Sequence, residues 1–389
     1  MAAQSTQFIE NADIDRDTPQ PEIHVEERSL KLHDYLKTCV KVNGSDLHLQ
    51  EASVPMIRVD GRARFLDTPP ATESQMAEFV KQLVADPEKM DVLKHKGSVD
   101  VAYNMPGVAR FRTSVFHSRE KYAIVMRRIV TKIPQFDELN LPPQVEELAN
   151  HHRGIIVVSG TTGSGKSTTL AAVIGKINRT RNDRIITVED PIEYQHENAK
   201  SLVSQVEVGT DSESYDYALR AMMRQDPDTI LIGEIRDTFS LSTALRAADT
   251  GHLVFTTVHA TNAPMTIERM VSLFDPGQKE LMQTQLGLNL IAVVCQRLAK
   301  RREGKGRIPV IEIMMATPIV RKYILEGEFE KLKGAVGNRE SGSQSFDQHL
   351  TELFQKQIID VSEAKRLASN VDALNLALRG ITNSDTRLR

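Results

Sequence analysis

Apolar residues return at helical spacing from the start of the first folded region: Leu30, Leu32, Tyr35, Leu36, Cys39 and Val40. Asn43-Gly44-Ser45-Asp46 breaks that helix, and Leu47-His48-Leu49 opens a strand. Ile57-Arg58-Val59-Asp60-Gly61-Arg62 reads as a strand entering an Asp-Gly turn. Residues 72–95 return to helical spacing. Ala109 to Phe116 and Tyr122 to Ile129 then alternate as the two arms of a hairpin. After the prolines of Ile133-Pro134 through Leu141-Pro142-Pro143 the pattern changes. Short β-branched runs follow at Gly154 to Ser159, Arg184 to Val188, Thr229 to Ile232, His252 to Thr257 and Ile308 to Met314, with helical stretches between several of them. From Thr317 the spacing is helical to the end, apart from a Gly/Ser/Asn-rich gap at Gly334–Ser345.

These patterns predict an α+β domain over residues 29–133, a proline-rich linker over 134–150 and an α/β domain over 151–330. The last should hold a mainly parallel, covered sheet, and a helical region follows over 331–389. Residues 1–28 hold seven acids and two bases with few large apolar residues, which predicts a disordered acidic tail, either a solvating extension or a docking peptide. The sequence shows no internal repeat.

Composition narrows the class. The net charge of −3 shows no basic domain, so nucleic acid is not an expected partner. The two cysteines, Cys39 and Cys295, lie far apart in apolar contexts, which fits buried thiols in a reducing compartment and excludes a four-cysteine zinc site. No window approaches the roughly 18–20 apolar residues of a membrane span. No secretion signal opens the chain, so the expected location is cytoplasmic.

The sharpest chemical signal is Gly160-Thr161-Thr162-Gly163-Ser164-Gly165-Lys166-Ser167, followed by Thr168. It meets G-x-x-x-x-G-K-[ST] between a strand and a helix, the pattern of a phosphate-binding loop. Its glycines let successive N–H groups converge on one phosphate, and the helix behind adds its positive end. Lys166 brings a full charge and Ser167 a hydroxyl for Mg²⁺, so ATP with Mg²⁺ is the expected ligand pair.

Hydrolysis needs acids as well. Thr229-Ile230-Leu231-Ile232-Gly233-Glu234 is an apolar strand ending in a carboxylate. Beside the loop strand it would bring Glu234 to the γ-phosphate, directly or through a water on the metal. Ile185-Ile186-Thr187-Val188-Glu189-Asp190-Pro191 is a second such strand. Glu189 either polarises the attacking water or lies in a solvated turn. Arg236 and Asp237 form an orienting pair or a solvated turn. His252 and His259 bracket another apolar strand, and each is either a site residue or a structural histidine. In the first domain the strand period of two places Arg110 and Arg112 on one face, while Arg127 and Arg128 point oppositely. Such arginines either meet a polyphosphate or form a solvated basic face. The run Lys300 to Arg307 reads most simply as a polar hairpin turn, with binding to an acidic partner or DNA as the alternative.

Together these motifs resemble those of the secretion-superfamily hexameric ATPases. The loop, Thr187-Val188-Glu189-Asp190-Pro191-Ile192-Glu193, Leu231-Ile232-Gly233-Glu234-Ile235-Arg236-Asp237 and Thr250-Gly251-His252-Leu253-Val254 are similar to the family's Walker A, aspartate, Walker B and histidine boxes. Gly44-Ser45-Asp46-Leu47-His48 and Ala109-Arg110-Phe111-Arg112 carry the likeness into the first domain. Within the superfamily the chain is most similar to the type IV pilus retraction group (PilT and its PilU-like paralogues). The resemblance implies a PAS-like N-terminal domain, a RecA-like P-loop ATPase domain and C-terminal helices, assembled as a homohexamer. It implies Glu189 as catalytic base, Glu234 as metal-side carboxylate, His252 and His259 at the catalytic interface, and Arg112 and Arg127 as arginines reaching the γ-phosphate.

As partners it implies an inner-membrane pilus platform protein and a paralogous retraction ATPase, with the ring docked peripherally at that membrane. Assembly and type II secretion relatives usually carry a long extra N-terminal region and a four-cysteine zinc motif, and this chain has neither. It departs from the retraction group at Ile319-Val320-Arg321-Lys322-Tyr323-Ile324-Leu325-Glu326, where the group often shows Ala-Ile-Arg-Asn-Leu-Ile-Arg-Glu. Phe346-Asp347-Gln348 leans toward the accessory paralogues. The alternatives are an assembly or type II secretion motor and a DNA-acting RecA-like ATPase.

Overall fold

The computed structural model describes residues 23–24, 30–59, 61–129, 133–303 and 306–379. The expected acidic tail lies outside these, apart from a short strand β1 (Ile23–His24). The chain divides into two compact units, Met1–Thr131 and Lys132–Arg389.

The first unit sets α1 (Leu32–Lys41), α2 (Glu73–Leu83) and α3 (Pro87–Lys96) with one sheet. Its strands are β1, β2 (Asp46–Gln50), β3 (Met56–Val59), β4 (Arg62–Asp67), β5 (Ser98–Met105), β6 (Ala109–Ser118) and β7 (Lys121–Ile129). Their order across the sheet is β1-β4-β3-β2-β7-β6-β5. The helical run expected over 72–95 is two helices. Pro87 has no N–H and restrains the residue before it, so Asp86 leaves the helix and caps a new one through the Glu88 N–H at 2.9 Å. One core, including Leu36, Leu47, Ile57, Phe79, Phe111 and Ile124, binds helices to sheet.

The second unit opens with α4 (Phe136–Leu139) and α5 (Pro143–Glu147). The stretch expected as a linker therefore carries short helices. Pro143 sits in the first turn, where its missing N–H costs nothing. Val145, Leu148 and Ala149 are buried in the second unit's own core.

The elements that follow are β8 (Gly154–Ser159), α6 (Lys166–Thr180), β9 (Arg184–Glu189), β10 (Leu202–Glu207), α7 (Tyr215–Met222), β11 (Thr229–Ile232), α8 (Thr238–Asp249) and β12 (Leu253–Val258). Next come α9 (Ala263–Ser272), α10 (Pro276–Asn289), β13 (Leu290–Lys300) and β14 (Arg307–Met315). The strand order is β10-β9-β11-β12-β8-β13-β14. All neighbours are parallel except the β13–β14 hairpin, which closes at Lys300 opposite Arg307 as its polar turn predicts. One expectation is corrected: the strand leading to Glu234 is not beside the loop strand, because β12 lies between β11 and β8.

The central strands are apolar on both faces because both faces are covered. Ile155, Val157, Ile230, Ile232 and Val254 face α7 to α10, while Ile156, Val158, Leu231 and Phe255 face α5 and α6. Among the described residues five more helices follow: α11 (Pro318–Leu325), α12 (Phe329–Gly337), α13 (Phe346–Gln355), α14 (Val361–Leu367) and α15 (Val371–Leu378). They bury Leu332, Leu350 and Leu374 in the same core as Ile155 and Val157. Among the described residues no helix is long and apolar enough to cross a membrane.

Candidate nucleotide site

A parallel sheet brings the C-terminal ends of its strands to one edge, where ligands bind in such folds. The loop Gly160–Ser167 leaves β8 at that edge and runs straight into the N-terminus of α6. Glu189 ends β9, Glu234 lies two residues past β11, and His259 follows β12 directly.

The loop's geometry demands its glycines. Gly160 has φ +150°, and a Cβ there would stand 2.5 Å from both the Gln296 carbonyl oxygen and Ser164 Oγ. Gly165 has φ +91°, and its Cβ would meet Gln296 Nε2 at 2.6 Å. Gln296 of β13 thus shapes the loop from beneath, and Thr169 Oγ1 fastens it by donating to Gln296 Oε1 at 2.7 Å. Lys166 Nζ donates to the carbonyls of Gly160 at 3.0 Å and Thr161 at 3.2 Å. Burial pulls this ammonium below the usual lysine value, while the charges of Glu234 and Glu193 pull it back up. The Ser164 hydroxyl is buried without a hydrogen-bond partner. An enclosed ammonium, an orphan hydroxyl and a helix N-terminus fit a phosphate chain.

Glu189 is held where a base could work. Thr187 Oγ1 donates to its Oε1 at 2.7 Å and Gln205 Nε2 at 3.2 Å. Desolvation nevertheless raises its pKa above the usual carboxylate value, outweighing those hydrogen bonds and one from the Glu193 N–H. Glu234 is fixed through its backbone: its N–H donates to the Tyr215 hydroxyl at 3.1 Å, and that hydroxyl donates to its carbonyl at 2.9 Å. Burial pushes the Tyr215 phenol up to about 12, so it stays a donor. The Glu234 carboxylate meets Arg236 Nε at 3.3 Å and His259 Nε2 at 3.3 Å. Arg236 also binds Asp190 at 3.0 Å and so ties the ends of β9 and β11 together. Thr168 Oγ1 lies 2.8 Å from the Tyr194 hydroxyl.

His252 is not brought to this edge. It precedes β12, and its carbonyl accepts from the Gly154 N–H at 3.0 Å, at the start of β8. Six residues of strand, about 20 Å, separate it from His259. Its Nδ1 bonds locally, to Thr250 Oγ1 at 3.0 Å and the Ala247 carbonyl at 2.9 Å. Of the two histidines, His259 alone is brought within this unit to the strand-end edge that carries the loop.

Arg112 and Arg127 belong to the other unit, directly opposite one another on β6 and β7 and hence on one face. Arg127 Nε donates to Asp46 Oδ1 at 2.9 Å, and Ser45 Oγ donates to Asp46 Oδ2 at 2.7 Å. Arg112 lies 4.0 Å from Asp100. Arg128, on the opposite face, holds the end of α1 through Asn43 Oδ1 at 2.7 Å.

A phosphate loop on a parallel sheet, with two strand-end carboxylates beside it, defines a P-loop nucleotide-binding protein. The family described as Type II/IV secretion system protein matches residues 30–366, and the chain belongs to it. It is 38% identical over 340 residues to the type IV pilus retraction ATPase PilT of Pseudomonas aeruginosa, covering 87% of this chain and 98% of that one. It is 36% identical over 357 residues to the type IV pilus ATPase PilU of the same organism, covering 92% and 93%. A crystal structure of the pilus retraction motor PilT with bound ADP superposes with a TM-score of 0.82 at 37% identity, covering 88% of this chain and 98% of that one.

Proposed function

We propose that this chain is an ATP-hydrolysing motor that powers type IV pilus retraction. The observation that carries the reading is a likeness running almost end to end through a relative named for that activity. The nucleotide would lie on the loop Gly160–Ser167, with Lys166 and the N-terminus of α6 meeting its phosphates. Ser167 and Glu234 supply hard oxygen donors of the kind Mg²⁺ takes, and the ion when bound neutralises charge on the phosphate oxygens.

Glu189 is the base. It takes a proton from the attacking water as the bond from water oxygen to γ-phosphorus forms and the bond to the bridging oxygen breaks, releasing ADP. Its raised pKa suits it to hold that proton. His259 holds the Glu234 carboxylate. Arg112 and Arg127 neutralise developing charge from a neighbouring subunit, as arginine fingers do. A head-to-tail contact of that kind closes into a ring, here a homohexamer. The ring would work in the cytoplasm against an inner-membrane platform protein.

A strain lacking the gene tests this reading. Many pili without twitching agree with it, and a bald cell points to an assembly motor instead. The likeness to PilU favours a second reading, an accessory motor beside a paralogue. Twitching that persists in the single deletion and is lost on deleting the paralogue supports that one.

A further inference from the structure

The segment from His259 to Asn262 joins β12 to α9 and carries the histidine that meets Glu234. Its backbone is gripped by two side chains of the β13–β14 hairpin. Arg297 of β13 donates through Nη2 to the Thr261 carbonyl at 3.3 Å. Glu312 of β14 accepts the Ala263 N–H at 2.7 Å, at the first residue of α9.

The same two side chains reach the C-terminal helices. Arg297 Nη1 donates to the Leu367 carbonyl at the end of α14 and to Ser369 Oγ at 3.4 Å. Its guanidinium carbon lies 3.8 Å from the centre of the Phe346 ring, at the start of α13. The Phe346 N–H also faces the Glu312 carboxylate and favours its charge. Asp347 secures the turn between α14 and α15 by accepting the N–H groups of Ser369 at 2.7 Å and Asn370 at 3.0 Å.

Packing alone does not require this arrangement, since an aliphatic side chain could fill the volume of Arg297. A planar guanidinium whose fork is divided between carbonyls of two distant segments fixes their relative position. Each of the two side chains touches both the His259 segment and helix α13. A shift of α13–α15 therefore cannot leave the segment where it was.

We propose that Arg297 and Glu312 are positioning residues that hold the His259 segment in register with the C-terminal helices, so that the seating of those helices sets the rate of hydrolysis. The proposal rests on the reading that His259 serves hydrolysis through Glu234.

The test is a double-mutant cycle on the purified full chain with ATP and Mg²⁺, reading kcat, KM and Tm. Arg297→Met should lower kcat about ten-fold, within the loss that small misplacements cause, with KM for ATP changed less than about three-fold. Arg297→Lys should behave like Arg297→Met, because it keeps the charge and loses the fork. In a His259→Ala background, Arg297→Met should add little, since the two losses share one route. Asp347→Ala touches neither the segment nor the loop. It should lower kcat in the same non-additive way, and it stands in if Arg297→Met does not fold. Additive losses, or a wild-type kcat in Arg297→Met or Asp347→Ala, overturn the relay while leaving His259 its role. A wild-type kcat in His259→Ala contradicts the role of His259 and removes the relay with it.

Discussion

His259 Nε2 lies 3.3 Å from Glu234 Oε1, joining the ends of β12 and β11 at the nucleotide edge of the sheet. The contact steadies a carboxylate that otherwise has Arg236 as its side-chain partner at 3.3 Å. His259→Ala should therefore lower kcat for ATP hydrolysis by about 10- to 100-fold, in the range for a lost positioning contact. His252→Ala, changed at the far end of β12, should lower it far less. Steady-state phosphate release on the two purified variants checks the contrast.

If Glu189 is the base, it gives the reaction its acid limb. Desolvation holds its pKa above the usual carboxylate range, and the Thr187 hydroxyl opposes that shift. The base works only when ionised, so kcat should fall as pH drops through this raised value. Thr187→Val removes a hydrogen bond that favours the carboxylate, and the limb should move to still higher pH. The linkage has the opposite sign for stability. A raised carboxylate pKa lets the folded state bind its proton more tightly, so this group's contribution falls as pH rises from the unfolded to the folded value. A pH–rate profile of the wild type and Thr187→Val measures the shift.

Two loop glycines separate steric demand from backbone strain. A Cβ at Gly160 would clash with the Gln296 carbonyl and Ser164 Oγ at 2.5 Å, whereas one at Gly163 meets nothing within 4 Å. Gly163 has φ +75°, so Gly163→Ala should carry only the cost of a left-handed residue, about 1–2 kcal/mol. Gly160→Ala must displace backbone, and ATP affinity should fall at least about ten-fold further. Calorimetric titration of both variants with a non-hydrolysable ATP analogue compares them.

Asp46 orients Arg127, whose Nε it accepts at 2.9 Å. If Arg127 works in a neighbouring subunit's site, Asp46→Ala should lower kcat without altering the ring's mass. Mixing it with Lys166→Ala should recover part of the activity, because some interfaces then pair an intact loop with an intact arginine. Recovery is read as phosphate release against mixing ratio.

The loop, Glu189 and Glu234 were legible because each ends or follows an apolar run, and parallel strands carry such ends to one edge. Thr187 was missed although a signal was there: it stands two residues before Glu189, on the same face of β9. Gln205 and Gln296 were not legible. Gln205 lies on β10, whose mixed polarity gave no strand signal, and Gln296 directly follows the apolar run 290–295 of β13, which marks a buried strand but not its neighbours; both roles come from pairing with strands distant in sequence. The neighbour of β11 was misread for the same reason, since apolar periodicity reports that a strand is buried and not which strand lies beside it. His252 looked equivalent to His259 because both bracket one run, but a strand's two ends are on opposite edges of its sheet. Residues 84–86, expected to be helical, are not, because one proline outweighed the surrounding spacing.

Hydrolysis at the loop is tested by phosphate release from ATP, measured on the purified chain with Lys166→Ala beside it. The wild type should turn over, and the variant should lose on the order of 10²–10³ in rate, as when a main electrostatic donor is removed. A Lys166→Ala protein that releases phosphate at the wild-type rate would contradict hydrolysis at the loop.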